Sequence, residues 1–180
     1  QVSLDITLND RVVDLVEEGY DCAVRISSLA NSTLVSRRLA SSRLVVCASK
    51  TYLRHHGTPR QPKDLARHRT LVYTNLANPD EWSFSGPRGP ERVRINACLR
   101  TNNGDTCRAA ALDHQGIVLQ PDFLVAADLR AGRLVELLPG YRASELGIYA
   151  VYPSRKYLPL KVRRLVDFLA DALREPAWLN

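Results

Sequence analysis

A chain of 180 residues with 45% hydrophobic and 24% charged content is long enough for a buried core, as one domain of ordinary size or as two small lobes sharing a sheet. Its apolar runs are too short to cross a bilayer, which excludes a helical membrane protein and leads us to expect a soluble one. The net charge of +6 would suit phosphate, but its carriers (Arg37, Arg38 and Arg43, then Arg88, Arg92 and Arg94, then Arg155, Lys156, Lys161, Arg163 and Arg164) are dispersed rather than gathered on one helix, so a solvated basic surface is the expectation.

Residues 2–8 alternate as a strand does, and Asp10 stands where an N-cap would open a helix over Arg11 to Glu18 with Val12, Val13, Leu15 and Val16 on its apolar face. Gly19 stops that helix, and the apolar run Tyr20 to Ile26 suits a buried strand. A strand, helix, strand opening with short joints favours a parallel sheet. After a polar loop over Ser27 to Thr33, Leu34 to Ser49 is long enough for one or two strands and could cross between lobes.

Lys50 to Gly57 has helical spacing, Pro59 and Pro62 interrupt it, and Lys63 to Ala66 starts a short helix leading to a strand at Thr70 to Tyr73. Trp82 to Phe84, the Gly86-Pro87-Arg88-Gly89-Pro90 turn and Arg92 to Leu99 predict a hairpin. Asp105 to Asp113 is then a helix with Gly116 just past its end, Ile117 to Gln120 a strand, and Asp122 the cap of a helix that Gly132 terminates. Leu134 to Leu138 and Leu146 to Tyr152 are strands. The chain closes on an amphipathic helix from Leu160 to Leu173, with Val162, Leu165, Val166, Leu169 and Leu173 on one face.

The segments "LVEEGYDCAVRI", with its Asp-x-Ala-x-Arg strand, "LVSRRLASSRLVVCASKTYLRHHG", "DLARHRTLVYTN", "WSF" and "HQGIVLQPDFL" stand in the order found in the effector-binding region of LysR-type transcriptional regulators, and the resemblance covers essentially the whole chain. The resemblance implies an α/β fold of two Rossmann-like lobes joined by two crossing strands, like a type 2 periplasmic binding protein, with an effector cleft between them. Lobe I would comprise residues 1–44 plus 146–180, and lobe II residues 45–145. The first lobe would be truncated at its N-terminus, since the chain starts at what resembles the family's second strand. The winged helix-turn-helix that precedes this region in the family, and binds DNA there, is not in this sequence.

A helix start offers unpaired N–H groups and the positive end of a dipole, so Thr101, Asn102 and Asn103 in front of the helix at 105 are candidates to hold a carboxylate. The competing reading is that Asn102 or Asn103 only caps the helix while Asp105 already answers the dipole. Ligands of open α/β sheets gather at the carboxyl ends of strands, which adds Ile26 and Ser27, Tyr73 and Asn75, and Gln120 and Pro121 as effector-binding candidates. Gln120 stands where the family tends to have an apolar residue and brings a donor and an acceptor. Arg25, in an otherwise apolar strand, needs a partner, and an intramolecular carboxylate or carbonyl is expected before a ligand.

No catalytic grouping emerges. Gly-x-Ser-x-Gly and His-Glu-x-x-His are absent from the sequence, and Gly86 to Gly89 lacks the lysine and helix of a phosphate loop. His55 and His56 are adjacent on a helix and point apart, while His68 and His114 fall near turns, so surface or capping roles are expected. Cys22, Cys47, Cys98 and Cys107 form no Cys-x-x-Cys pair and suit reduced structural thiols in the cytoplasm. A position near a helix start would lower the pKa of Cys107, with Asp105 acting the other way.

The expectation is therefore a sensor region of a bacterial transcription regulator. It would bind a small-molecule effector, a carboxylate or an aromatic, without cofactor or metal, would form a homodimer or higher homo-oligomer with the 11–18 and 105–113 helices as candidate contacts, and would reach DNA only through the helix-turn-helix. The rivals are an exported solute-binding protein of a transport system and an enzyme on the same two-lobe scaffold, with Cys107 or a histidine as its working group.

Overall fold

A computed structural model describes residues 3–11, 14–27, 35–153, 158–176 and 178. The chain divides into two compact units, Gln1–Ser42 with Leu146–Asn180, and Arg43–Glu145.

In the first unit, β1 (Ala23–Ser27) pairs antiparallel with β10 (Glu145–Tyr152), which in turn neighbours β2 (Val35–Ser49). Leu39 of β2 and Ile148, Ala150 and Tyr152 of β10 form a core with Val162 and Val166 of α4 (Leu160–Ala172). Those helix residues, with Leu169 and Leu173, recur every three or four positions, so one stripe of α4 meets the sheet. Arg37 pairs with Asp167, joining β2 to α4, and Lys161 Nζ lies 2.7 Å from Asp21 Oδ2.

Three expectations fail in this unit. Residues 3–8 form no strand and are exposed, because alternation alone makes no ladder without a neighbouring edge to supply hydrogen bonds. Nor is there a helix at 11–18 among the described residues; Val12 and Val13 lie outside them. Asp14 Oδ1 instead accepts from Val16 and Glu17 N–H at 2.8 and 3.1 Å, so the turn begins four residues later than Asp10 would start it and ends at Gly19, whose φ is +72°. Among the described residues there only Leu15 is buried, and Val16 is exposed, so they show no helical stripe. Finally, β1 is an edge strand with Val24 and Ile26 exposed, not a buried central one.

The second unit is built on the remainder of β2, followed in order by β7 (Ile117–Pro121), β3 (Arg69–Tyr73) and β6 (Asn96–Thr101), with β8 (Leu134–Glu136) on the other end of β2. β2 is antiparallel to β7, whereas β3 runs parallel to both β7 and β6. Residues Leu44 to Ser49 are all buried, as expected of a strand covered on both faces. Val45, Cys47, Leu71 and Val118 from these strands pack with Cys107 and Ala111 of α2 (Gly104–Leu112) and Val125 of α3 (Asp122–Arg130). α1 (Lys50–His56) is capped by Ser49, whose hydroxyl accepts from Tyr52 N, and a 3₁₀ turn follows at Pro62–Arg67.

The predicted hairpin is shorter than expected. β4 (Glu81–Gly86) pairs with β5 (Gly89–Arg94) and with β9 (Arg142–Ala143) in a small three-stranded sheet. The run Arg92 to Leu99 does not continue as one strand. It breaks at Ile95, whose N–H donates to Asp80 O at 3.1 Å, and β6 then joins the larger sheet.

Candidate functional site

The parallel pairing of β3 and β6 sets Tyr73 beside Thr101 in register, and Thr74 N–H donates to Thr101 O at 2.9 Å. Both strands end here at their carboxyl ends, and α2 starts three residues later. Thr101 Oγ1 accepts from Asn103 N–H at 3.2 Å. Asn103 Oδ1 accepts from Thr106 N–H at 2.8 Å and from Thr106 Oγ1 at 3.0 Å, so Asn103 is the N-cap. That single cap leaves the amides of Gly104 and Asp105 with no intrahelical acceptor and no other partner among the described residues.

Asn102 is exposed, and Tyr73 Oη accepts from Asn75 Nδ2 at 3.5 Å. Asp105 points its carboxylate to solvent 3.9 Å from Arg108 Nη1, which offsets part of its repulsion of an anion. The sequence left two readings of this turn open, cap or anion site. The geometry contains both features, a spent Asn103 and two open N–H groups beside it.

Gln120 lies one residue before the end of β7, opposite Val45 of β2. It is 1% exposed, and neither its Oε1 nor its Nε2 has a hydrogen-bond partner. Among the described residues it is the one side chain with both polar atoms buried in this state. A Cβ built on Gly104 would stand 3.2 Å from Gln120 Oε1 and 2.8 Å from Leu124 Cδ1, so the amide sits against the first residue of α2 where glycine leaves room. The Cys107 thiol is near enough for the amide to stabilise its thiolate, without the alignment of a hydrogen bond. Burial dominates all the same and pushes that thiol up to about 11.

Pro121, half-buried, occupies the N-cap position of α3, and Asp122 is the first helical residue rather than the cap. The Asp122 side chain is buried; its Oδ2 accepts from Arg43 N–H at 3.3 Å, and the Arg43 guanidinium grips Glu136 at 2.6 and 3.0 Å. A second acid was not singled out from the sequence. Asp128, fully buried on α3, accepts from Arg108 Nε of α2 at 2.5 Å and from Arg133 Nε at 2.8 Å. Burial alone would raise its pKa, but the two guanidinium groups outweigh it and hold the carboxyl below the usual range. The visible signal in the sequence was only a charged residue on the inner face of a helix, which does not name its partners.

Ile26 and Ser27 belong to the first unit. They close β1, both exposed, opposite Ile148 and Gly147 of β10. Arg25 between them and Val24 is half-buried.

His55 and His56 are exposed, in keeping with surface roles, while His68 and His114 hold more specific places. His68 is buried, not at the surface, and its Nδ1 lies 3.2 Å from Tyr52 Oη, which also accepts the Arg69 N–H at 3.0 Å. The tyrosine hydroxyl thus joins the Arg69 amide to the imidazole, with the direction of its bond to Nδ1 set by the ring tautomer. Burial lowers the pKa of His68, neighbouring His56 lowers it further, and Asp64 opposes both. His114, at φ +63°, places Nδ1 2.8 Å from the Ser49 hydroxyl that caps α1. No group of three or more His, Cys, Asp or Glu able to hold a metal occurs among the described residues.

The sequence matches the family model described as LysR substrate binding domain over residues 1–174. It is 37% identical to the HTH-type transcriptional regulator PtxR of Pseudomonas aeruginosa over 98% of this chain and 57% of that protein, so the chain spans little more than half the length of that curated relative. Among solved structures, the regulatory domain of CrgA, a LysR-type transcriptional regulator from Neisseria meningitidis, is 34% identical with a TM-score of 0.77, covering 88% of this chain and 78% of that one. The full-length virulence activator AphB of Vibrio cholerae, at 24% identity, shares the fold with a TM-score of 0.81 over 94% of this chain and 57% of that chain. With strands, helices and their order matched to this extent, the chain belongs to the LysR substrate-binding domain family, whose regulatory domains have the type 2 periplasmic-binding-protein-like fold.

Proposed function

We propose that this chain is the ligand-sensing part of a LysR-type transcriptional regulator, and that its signal is a small molecule held at the carboxyl ends of β3 and β6 in the second unit. The observation that carries the site is the register of Tyr73 with Thr101, which brings two strand ends together beside the open N–H groups of α2. Carboxyl ends of parallel strands and helix N-termini both favour polar or anionic guests, the first by topology and the second through unpaired donors and dipole. Family membership over residues 1–174 supports the regulatory role, and relatives named as transcriptional regulators weigh against a transport protein. The ligand acts by population shift, stabilising the arrangement of the regulator that it contacts better and so altering DNA binding by a homo-oligomer.

Calorimetric titration of the intact regulator with a panel of small aliphatic and aromatic carboxylates tests the site. A binding acid should lose about tenfold in affinity, roughly one hydrogen bond's worth, in Thr101→Val or Asn102→Ala. An acid whose affinity is untouched by both changes binds elsewhere and sinks the assignment.

A further inference from the structure

We infer that Gln120 selects the ligand of this site, and that the selected class is a 2-hydroxycarboxylate, with the hydroxyl and one carboxylate oxygen paired to the Gln120 amide. This rests on the reading of the β3/β6 strand ends as the binding site, and adds to it the identity of the guest.

A buried primary amide with neither donor nor acceptor engaged is unfavourable, and native interiors almost always satisfy such groups. Gln120 is 1% exposed, with both amide atoms unpaired. Its Oε1 would stand 3.2 Å from a Cβ on Gly104, the first residue of α2. The unmet groups at this place are therefore one acceptor (Oε1), one donor group (Nε2) and the open Gly104 and Asp105 N–H groups at a positive helix end. The helix end asks for an anion. The amide asks for an acceptor and a donor side by side.

A plain carboxylate answers the helix and Nε2 but offers nothing to Oε1. An alcohol answers the amide but leaves the helix end without charge. A carboxylate carrying a hydroxyl on the adjacent carbon answers all three: one carboxylate oxygen takes the α2 N–H groups, the other accepts from Nε2, and the hydroxyl donates to Oε1. Leu124 Cδ1, packed against the same Gly104, is the far end of a flexible side chain and the group that turns aside to admit the guest. A site built to pair with a ligand hydroxyl rejects the analogue lacking it strongly, because the protein's own polar atoms are then left unmatched.

The test uses matched pairs on the intact regulator by calorimetry: lactate against propionate, and mandelate against phenylacetate. The wild type should prefer the hydroxylated member of a pair by tenfold or more. Gln120→Met should abolish that preference by weakening the hydroxy acid, which loses partners at both Oε1 and Nε2, more than its unhydroxylated match, whereas Asn102→Ala should weaken both members equally. Equal affinity for matched acids in the wild type, or a preference that survives Gln120→Met, overturns the inference while leaving the site standing. Binding of no acid in either pair overturns the inference and counts against the site reading as well. Thermal unfolding of each variant without ligand confirms that it is folded, and Gln120→Leu provides a second apolar replacement where Gln120→Met does not fold.

Discussion

Replacing Gln120 by methionine should make the ligand-free protein more stable. The side chain keeps its length and unbranched path, so the strand register of β7 and its packing against Gly104 and Leu124 are retained. What disappears is a buried amide with two unpaired polar atoms. Mutational data put an uncompensated buried polar group at about 1–3 kcal/mol, and the neighbouring Cys107 thiol offsets a little of that. The expected gain is then about 1–2 kcal/mol, which for a chain of this size raises the melting temperature by roughly 2–4 °C per kcal/mol. Gln120→Glu is the contrasting control, because it buries a carboxylate in the same place and should destabilise. Differential scanning calorimetry and urea titration without ligand measure both. A Gln120→Met protein that loses about 1 kcal/mol or more would show that the fold itself pairs the amide, and the reasoning that assigns Gln120 to a guest would fail with it.

Asp128 should behave as a shared anchor. Arg108→Ala or Arg133→Ala alone should cost only about 1 kcal/mol, since the other guanidinium remains and each arginine is partly hydrated, whereas the double change strands a buried carboxylate and should cost about 3–5 kcal/mol. A urea-denaturation cycle in which the double change equals the sum of the singles refutes that coupling. For His68 the folded-state pKa lies below the ordinary 6.5, so the unfolded chain takes up the proton first. Its contribution is complete above 6.5 and is lost as pH falls from there toward the folded value. Urea midpoints measured on either side of 6.5 should drop less in His68→Gln than in the wild type, and an equal drop would mean that other groups carry the acid sensitivity. Among the thiols, exposed Cys98 should alkylate first with iodoacetamide, while Cys47, pushed up to about 12 by burial, and Cys107, at about 11, should react only on unfolding, as peptide mass spectrometry would read.

Most elements of the second unit were legible because their signals are local. Asn103 is a cap residue that makes its own bond to the next turn, and the uninterrupted apolar run Leu44 to Ala48 announces a strand covered on both faces. The N-terminal stretch misled for the complementary reason. Its alternation at residues 2–8 and its apolar spacing at 11–18 describe faces that want a partner, and among the described residues there only Leu15 is buried, so residues 3–8 stayed exposed and Asp14 closed a single turn instead. The hairpin's second strand ran on in the sequence past Ile95, and only a long-range bond from Ile95 to Asp80 divided it between two sheets.

The candidate site divides the same way. Thr101, Asn102 and Asn103 could be found from the sequence, since strand ends and helix starts are marked by residue type within a few positions. That Tyr73 lies beside Thr101 depended on parallel pairing of strands nearly thirty residues apart, and parallel register is set by tertiary packing rather than by any local turn. The state of Gln120 was equally invisible. A glutamine at a strand end is ordinarily a wet side chain, and nothing near it in the sequence shows that β2, β3 and α2 close around it. Burial is a property of what neighbours leave uncovered, so the chain's order alone determined which groups stand at the site, and only the tertiary structure decided which of them are left without a partner.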